Sequence, residues 1–172
     1  GFRYTAFRLE TLPVYDVSYE ADTFDHFLKG LPRGDNPSIG PWVDRVMGGV
    51  REGKRFQRVH VLWEPLTDYL RFECAWSYRD SSRGGEDVRI LRLNSADSEW
   101  PEDLGRSDFW LFDSIDLVEM NYSANGEFES AEVIDDPVRI LEANRWRDSA
   151  VAKSVPFIEF DVVFDQWMNR ES

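Results

Sequence analysis

Three strand-like runs follow one another in the second half of the chain, at residues 109–112, 115–122 and 127–134, and Asn125-Gly126 sits between the last two. Both residues tolerate positive φ, as a tight hairpin requires, so this part is expected to form antiparallel strands. Such a sheet must bury one face, and the rest of the chain offers helices to cover it.

Residues 6–10 and 15–19 read as short strands separated by Pro13, and residues 23–29 as a helix stopped by Gly30. The loop 31–41 leads to Pro41, which opens a helix whose apolar positions Val43, Val46, Met47 and Val50 follow helical spacing. Residues 56–63 alternate, with Val59, Val61 and Trp63 on one face and Arg58, His60 and Leu62 on the other. Pro65 breaks this strand, Thr67 is placed to cap a helix running to about residue 78, and residues 81–85 form a turn. A strand at 87–93, an acidic loop at 95–107 and a helix from Asp136-Pro137 to about residue 153 follow. Phe157, Phe160, Phe164, Trp167 and Met168 fit a helical stripe, whereas Ile158, Phe160, Val162 and Phe164 fit a strand; the length favours a helix. The expected fold is α+β, one domain over residues 1–172, with a curved antiparallel sheet and helices packed on one face.

The charge is unevenly spread. Between Asn94 and Asp136 stand thirteen acidic residues and one base, Arg106, whereas residues 1–86 nearly balance; the whole chain carries -13. An aromatic fraction of 15% rules out a disordered acidic tail. The acidity argues against direct contact with nucleic acid. No apolar run exceeds about five residues, far short of the roughly twenty that span a bilayer. A single cysteine, Cys74, excludes an internal disulfide framework, and a cytoplasmic location is expected. No apolar stretch follows a basic start, and the chain does not begin with Met, so a removed leader stays open.

Glu73 is the position that most invites a chemical role. On the helix expected from Thr67 it falls near the centre of the face made by Leu66, Tyr69, Leu70, Phe72, Cys74 and Trp76. A carboxylate there must be paired, protonated or open to a cavity. Arg89, on a strand face with Leu91 and Leu93, is the expected partner, with Arg58 and Arg92 as fallbacks. Two readings stand: a buried ion pair that fixes packing, or a ligand pocket built from Tyr69, Arg71, Glu73, Glu86 and Arg89 with His60 nearby. In the second, Arg89 clamps an anionic group and Glu73 acts as base. Arg45, Arg51, Lys54, Arg55 and Arg58 form a basic segment that either holds a small anion or is a solvated face. His26 and His60 are far apart and lack zinc-site spacing, so no metal is expected, and no nucleotide-binding glycine motif or other cofactor signature occurs.

The run from Pro65 to Glu73, then Gly85-Glu-Asp-Val-Arg89, then Asp108-Phe-Trp-Leu-Phe-Asp113, together with Ala6-Phe-Arg-Leu-Glu10, resembles a family of small acidic actinobacterial proteins. That family is classed as a domain of unknown function and is often encoded beside Xre-type helix-turn-helix regulators. The resemblance assigns no catalytic residue; it implies, by association, a regulatory partner.

Three functional expectations follow. The first is a non-enzymatic regulatory protein that docks a basic partner, such as a helix-turn-helix regulator, through Asp108, Trp110, Asp113, Asp116 and Glu119. The second is the Glu73–Arg89 pocket, and the third a toxin–antitoxin component. The oligomeric state is not legible.

Overall fold

A computed structural model describes residues 1–34, 37–94 and 98–168. Asp35 and Asn36 of the loop 31–41, residues 95–97 of the acidic loop, and the side chains of Val162, Trp167 and Met168 lie outside the described set.

Seven strands form one sheet in the order β6-β5-β4-β1-β2-β3-β7. They are β1 (Thr5–Glu10), β2 (Arg55–Glu64), β3 (Asp87–Asn94), β4 (Asp108–Phe112), β5 (Asp116–Tyr122), β6 (Phe128–Ile134) and β7 (Val155–Pro156). The helices are α1 (Ala21–Leu28), α2 (Gly40–Arg51), α3 (Asp68–Phe72), α4 (Tyr78–Arg83), α5 (Pro137–Lys153) and α6 (Phe157–Met168). The π-helical turn Glu73–Ser77 joins α3 to α4, so the helix capped by Thr67 runs on to Arg83, past the expected stop. Its N-terminus forms where expected: the Thr67 hydroxyl accepts the Leu70 N–H at 3.2 Å.

The α+β class is as the sequence indicates, and β4, β5 and β6 form the expected antiparallel run. The sheet is mixed, however. β1–β2 and β2–β3 pair in parallel, because α1 and α2 fill the first connection and the α3–α4 helix fills the second. Helices consequently lie on both faces rather than one. Phe7, Leu9, Val59, Val61, Phe109 and Leu117 pack under Ala143 and Ala150 of α5. On the opposite face Leu62, Val88 and Ile90 meet Leu70, Phe72 and Tyr78, with Phe157, Phe160 and Phe164 of α6. Val46 of α2 meets Ala6 and Phe56 on that same side. Two covered faces leave the central strands largely buried, as in parallel sheets generally.

Residues 15–19 are not a strand. Asp16 makes an isolated bridge to Glu127, and Ser18–Glu20 forms a single three-ten turn. At Gly126, φ is 84°, and a Cβ there would run into the Val14 carbonyl. The pair of non-glycine positive φ values falls instead at Asp113 and Ser114, between β4 and β5.

Candidate functional site

Strand alternation decides which side chains meet under the helices. On β1 the inward positions Arg8 and Glu10 interrupt the apolar series, and parallel register sets Arg8 beside Arg58 and Glu10 beside His60. Antiparallel register sets Arg8 beside Trp110 of β4 on its other side. Above this polar patch come Glu20 from the three-ten turn, Trp42 from α2, Tyr69 from α3, Glu73 and Ser77 from the π turn, and Tyr78 from α4. Together they enclose a cavity of about 240 Å³.

Both arginines are paired with carboxylates. Arg58 donates from Nη1 to Glu10 Oε1 at 2.8 Å and from Nε to Glu86 Oε1 at 2.9 Å. Glu86 Oε2 accepts the Trp42 indole N–H at 2.8 Å, and the Arg58 guanidinium lies 5.7 Å from the Trp42 ring. Arg8 donates from Nη2 to Asp108 Oδ2 at 3.3 Å and to the Tyr122 hydroxyl oxygen at 2.9 Å, and stacks 5.6 Å from the Trp110 ring. Asp108 also accepts the Thr11 hydroxyl at 2.6 Å and the Tyr15 hydroxyl. Burial works against the charge on Glu10, yet Arg58 and its other neighbours bring its carboxyl down to about 2.

His60 is fully buried. Its Nε2 lies 3.0 Å from the Leu12 carbonyl oxygen, which can only accept, so we assign the ring proton to Nε2. Nδ1 then accepts from the Tyr78 hydroxyl at 2.5 Å, and burial lowers the His60 pKa, in keeping with a neutral ring. The same phenol oxygen lies 3.1 Å from Glu10 Oε2.

Glu20 and Glu73 are the surplus. Glu20 accepts the Tyr69 hydroxyl at 3.1 Å, and burial pushes its carboxyl up to about 7. Glu73 is 7% exposed, and its Oε1 has no hydrogen-bond partner among the described residues. Burial first, then the Glu20 and Glu10 carboxylates, raise the Glu73 pKa well above the carboxylate range. Arg8 Nη1 and Ser77 Oγ, also buried, lack partners among the described residues too.

Residues 1–162 match the family described as Domain of unknown function (DUF6879). The chain belongs to this family. No curated protein matches the chain. Membership in DUF6879 carries no assigned chemistry, so residue roles rest on geometry alone.

In this DUF6879 chain the expected pocket is partly assembled. Tyr69 and Glu73 line the cavity, and Glu86 stands directly behind it, bonded to Arg58. Arg71 does not line it. His60 sits one residue deeper, behind Tyr78, and does not line the cavity. Arg89 is on the wrong side of the sheet. It points with Leu91 and Leu93 toward α5, donates to Ser154 Oγ at 3.0 Å and to the Ser154 carbonyl oxygen at 3.1 Å, and forms no pair with Glu73. Arg8 and Arg58 supply the guanidiniums instead. The charged pair Arg8 and Glu10, on one face of an otherwise apolar strand, was a readable signal; Glu20, in an irregular turn, offered none.

The five residues expected on a docking face do not form one open patch. Asp108 is 4% exposed inside the Arg8 network. Trp110 lines the cavity and stacks on Phe112. Asp113 is spent on the backbone N–H groups of Arg3, Tyr4 and Thr5, at 2.7, 2.7 and 2.8 Å. Glu119 pairs with Arg139 of α5. Asp116 is exposed. In the basic segment, Lys54 pairs with Glu52 and Arg55 with Asp87. Among the described residues no group of His, Cys, Asp and Glu could hold a metal ion, and no helix is long and apolar enough to cross a membrane.

Proposed function

We propose that the chain is a cytoplasmic ligand-binding domain whose site is the polar cavity between the sheet and α2–α4. The observation that carries this reading is a group of buried, unbonded polar atoms, Arg8 Nη1, Glu73 Oε1 and Ser77 Oγ, on residues lining one cavity. Protein interiors nearly always pair such groups, so their partners are expected from outside the chain. One water accounts for about 30 Å³ of liquid, far less than this space. Binding is favoured over catalysis because, among the described residues, the serines that line the cavity, Ser38, Ser77 and Ser81, have no histidine base set against them: both ring nitrogens of His60 are engaged by Tyr78 and Leu12. Burial raises the Tyr15, Tyr69 and Tyr78 phenols well above their usual range, and the Cys74 thiol, raised likewise, does not line the cavity.

A screen of small polar fragments by protein NMR tests this. Ligands are expected to shift the indole N–H signals of Trp42 and Trp110 and to raise the melting temperature. If no fragment shifts either signal at millimolar concentration, the reading falls.

A second reading, association with a basic protein such as a helix-turn-helix regulator, is favoured by the sheet edge at β6. That strand is exposed along nearly its whole length and carries Glu129 and Glu132 beside the exposed Phe128 and Val133. Open edges of this kind accept a further strand.

A further inference from the structure

We infer that the ligand presents a cationic nitrogen group, an alkylammonium or a guanidinium, seated against Glu20 and Glu73. This rests on the reading of the cavity as a ligand site and names the chemistry it takes.

Acids outnumber bases around the cavity. Arg8 and Arg58 meet three carboxylates, Glu10, Glu86 and Asp108, at 2.8–3.5 Å. Both guanidiniums are thus committed to carboxylates before Glu20 and Glu73 are considered, with Arg8 Nη1 alone left unbonded. Glu20 receives one phenol hydroxyl, whereas Glu73 Oε1 has no formed hydrogen bond among the described residues, with the nearby Ser77 hydroxyl, one turn on, favouring its charge. An anionic ligand would enter a space whose acids outnumber its bases. A neutral ligand could supply hydrogen bonds but no charge to balance either carboxyl once ionised. A cationic nitrogen provides both the donors that Glu73 lacks and the charge that both carboxyls need.

The space next to the cavity fits an organic cation better than a bare ion. Tyr19, Ser38 and Trp42 are shared between its lining and that of a more open depression of about 480 Å³, which Pro37, Pro41 and Arg45 complete. The wall there is largely apolar, so the charged head would sit inward and a carbon chain would lie outward.

Binding of a cation should expel protons, because both carboxyls are held toward their neutral forms. The titratable and charged groups facing them are Glu10 of β1, Arg58 of β2, Tyr19 of the three-ten turn, Tyr69 of α3, Cys74 of the π turn and Tyr78 of α4. None of these is expected to change charge over the interval around pH 7 in which Glu20 ionises, and Glu73 is raised in the same direction. Affinity for the cation should therefore rise with pH over that interval.

The test uses the whole chain and four probes of one length: n-butylammonium, n-butylguanidinium, n-butanol and butyrate. Isothermal titration in buffers of different ionisation enthalpy reads affinity and proton release together, and NMR locates the site at Trp42. The two cations are expected to bind about tenfold or more tightly than butanol and butyrate, with net proton release. Glu73→Gln, and independently Glu20→Gln, should each remove most of that preference while circular dichroism stays unchanged. A lysine tripeptide blocked at both ends separates the sources of the cation. Tighter binding than butylammonium assigns it to a partner's side chain, and exclusion assigns it to a free amine; either supports the inference. Butanol or butyrate binding at Trp42 as well as the cations would overturn the inference and leave the ligand site standing. Cavity shifts produced only by uncharged or anionic fragments would do the same. If no probe or fragment reaches the cavity, both readings fail.

Discussion

Glu10 and Glu73 line the same cavity, and their surroundings drive them in opposite directions. Glu10 is bonded to a guanidinium and is held at about 2, while Glu73 has carboxylates for neighbours and is raised. The difference is one of partners, since both side chains are buried. It has a sign for stability. A carboxyl raised on folding contributes stability that is complete below its unfolded pKa and is lost as pH rises through the folded value, about 7 for Glu20. Glu73 acts in the same direction. Glu10 acts oppositely: its contribution is present above the ordinary carboxylate range and is lost as pH falls toward about 2. Stability by urea unfolding is therefore expected to decline between about pH 5.5 and pH 8, on the order of 1–3 kcal/mol. Glu73→Gln should flatten that decline and be the more stable protein at the upper pH. A wild-type stability that rises over the interval would contradict the assignment.

At the scale of elements, close approaches fix where the turns fall. Gly126 lets the β5–β6 connection lie against Val14, where Asp16 donates its N–H to the Gly126 carbonyl oxygen at 2.9 Å. Gly126→Ala is expected to destabilise by more than about 1 kcal/mol, because both the positive φ and the neighbouring carbonyl oppose a methyl group. Urea unfolding checks this; a neutral result would mean that the contact with residues 14–16 is not made. Much of this level was legible beforehand. The Thr67 cap, the α5 start at Asp136-Pro137 and the strand pattern of β2 can be read because each is a local rule. The parallel pairing of β1, β2 and β3 could not, because it depends on where the intervening helices pack. The cavity was half legible for the same reason. Glu73 stands out on its own helix, whereas its real neighbours Glu10 and Glu20 arrive from β1 and a three-ten turn. Arg89 misled because strand alternation gives a face but not which face of the sheet looks toward Glu73.

For the whole molecule, the acidic excess remains after internal pairing. Asp108, Asp113 and Glu119 are taken up within the fold, but the chain still carries -13 and the β6 strand stays exposed and acidic. Net self-repulsion should therefore be screened by salt. Raising the ionic strength from about 0.01 M to about 0.15 M is expected to raise the melting temperature at neutral pH; a fall would mean that the screened pairs matter more than the excess. The same excess extends inward, where five acids face two arginines around the cavity. The central claim is that Glu20 and Glu73 are acids without a base. Carbon-13 NMR titration of the glutamate side-chain carboxyls tests it most directly. Two of them are expected to titrate far above the rest, Glu20 near 7 and Glu73 also raised, while Glu10 stays ionised down to about 2. If every glutamate instead titrates in the ordinary range of about 4–5, the cavity carboxyls are matched or solvated and the account is wrong.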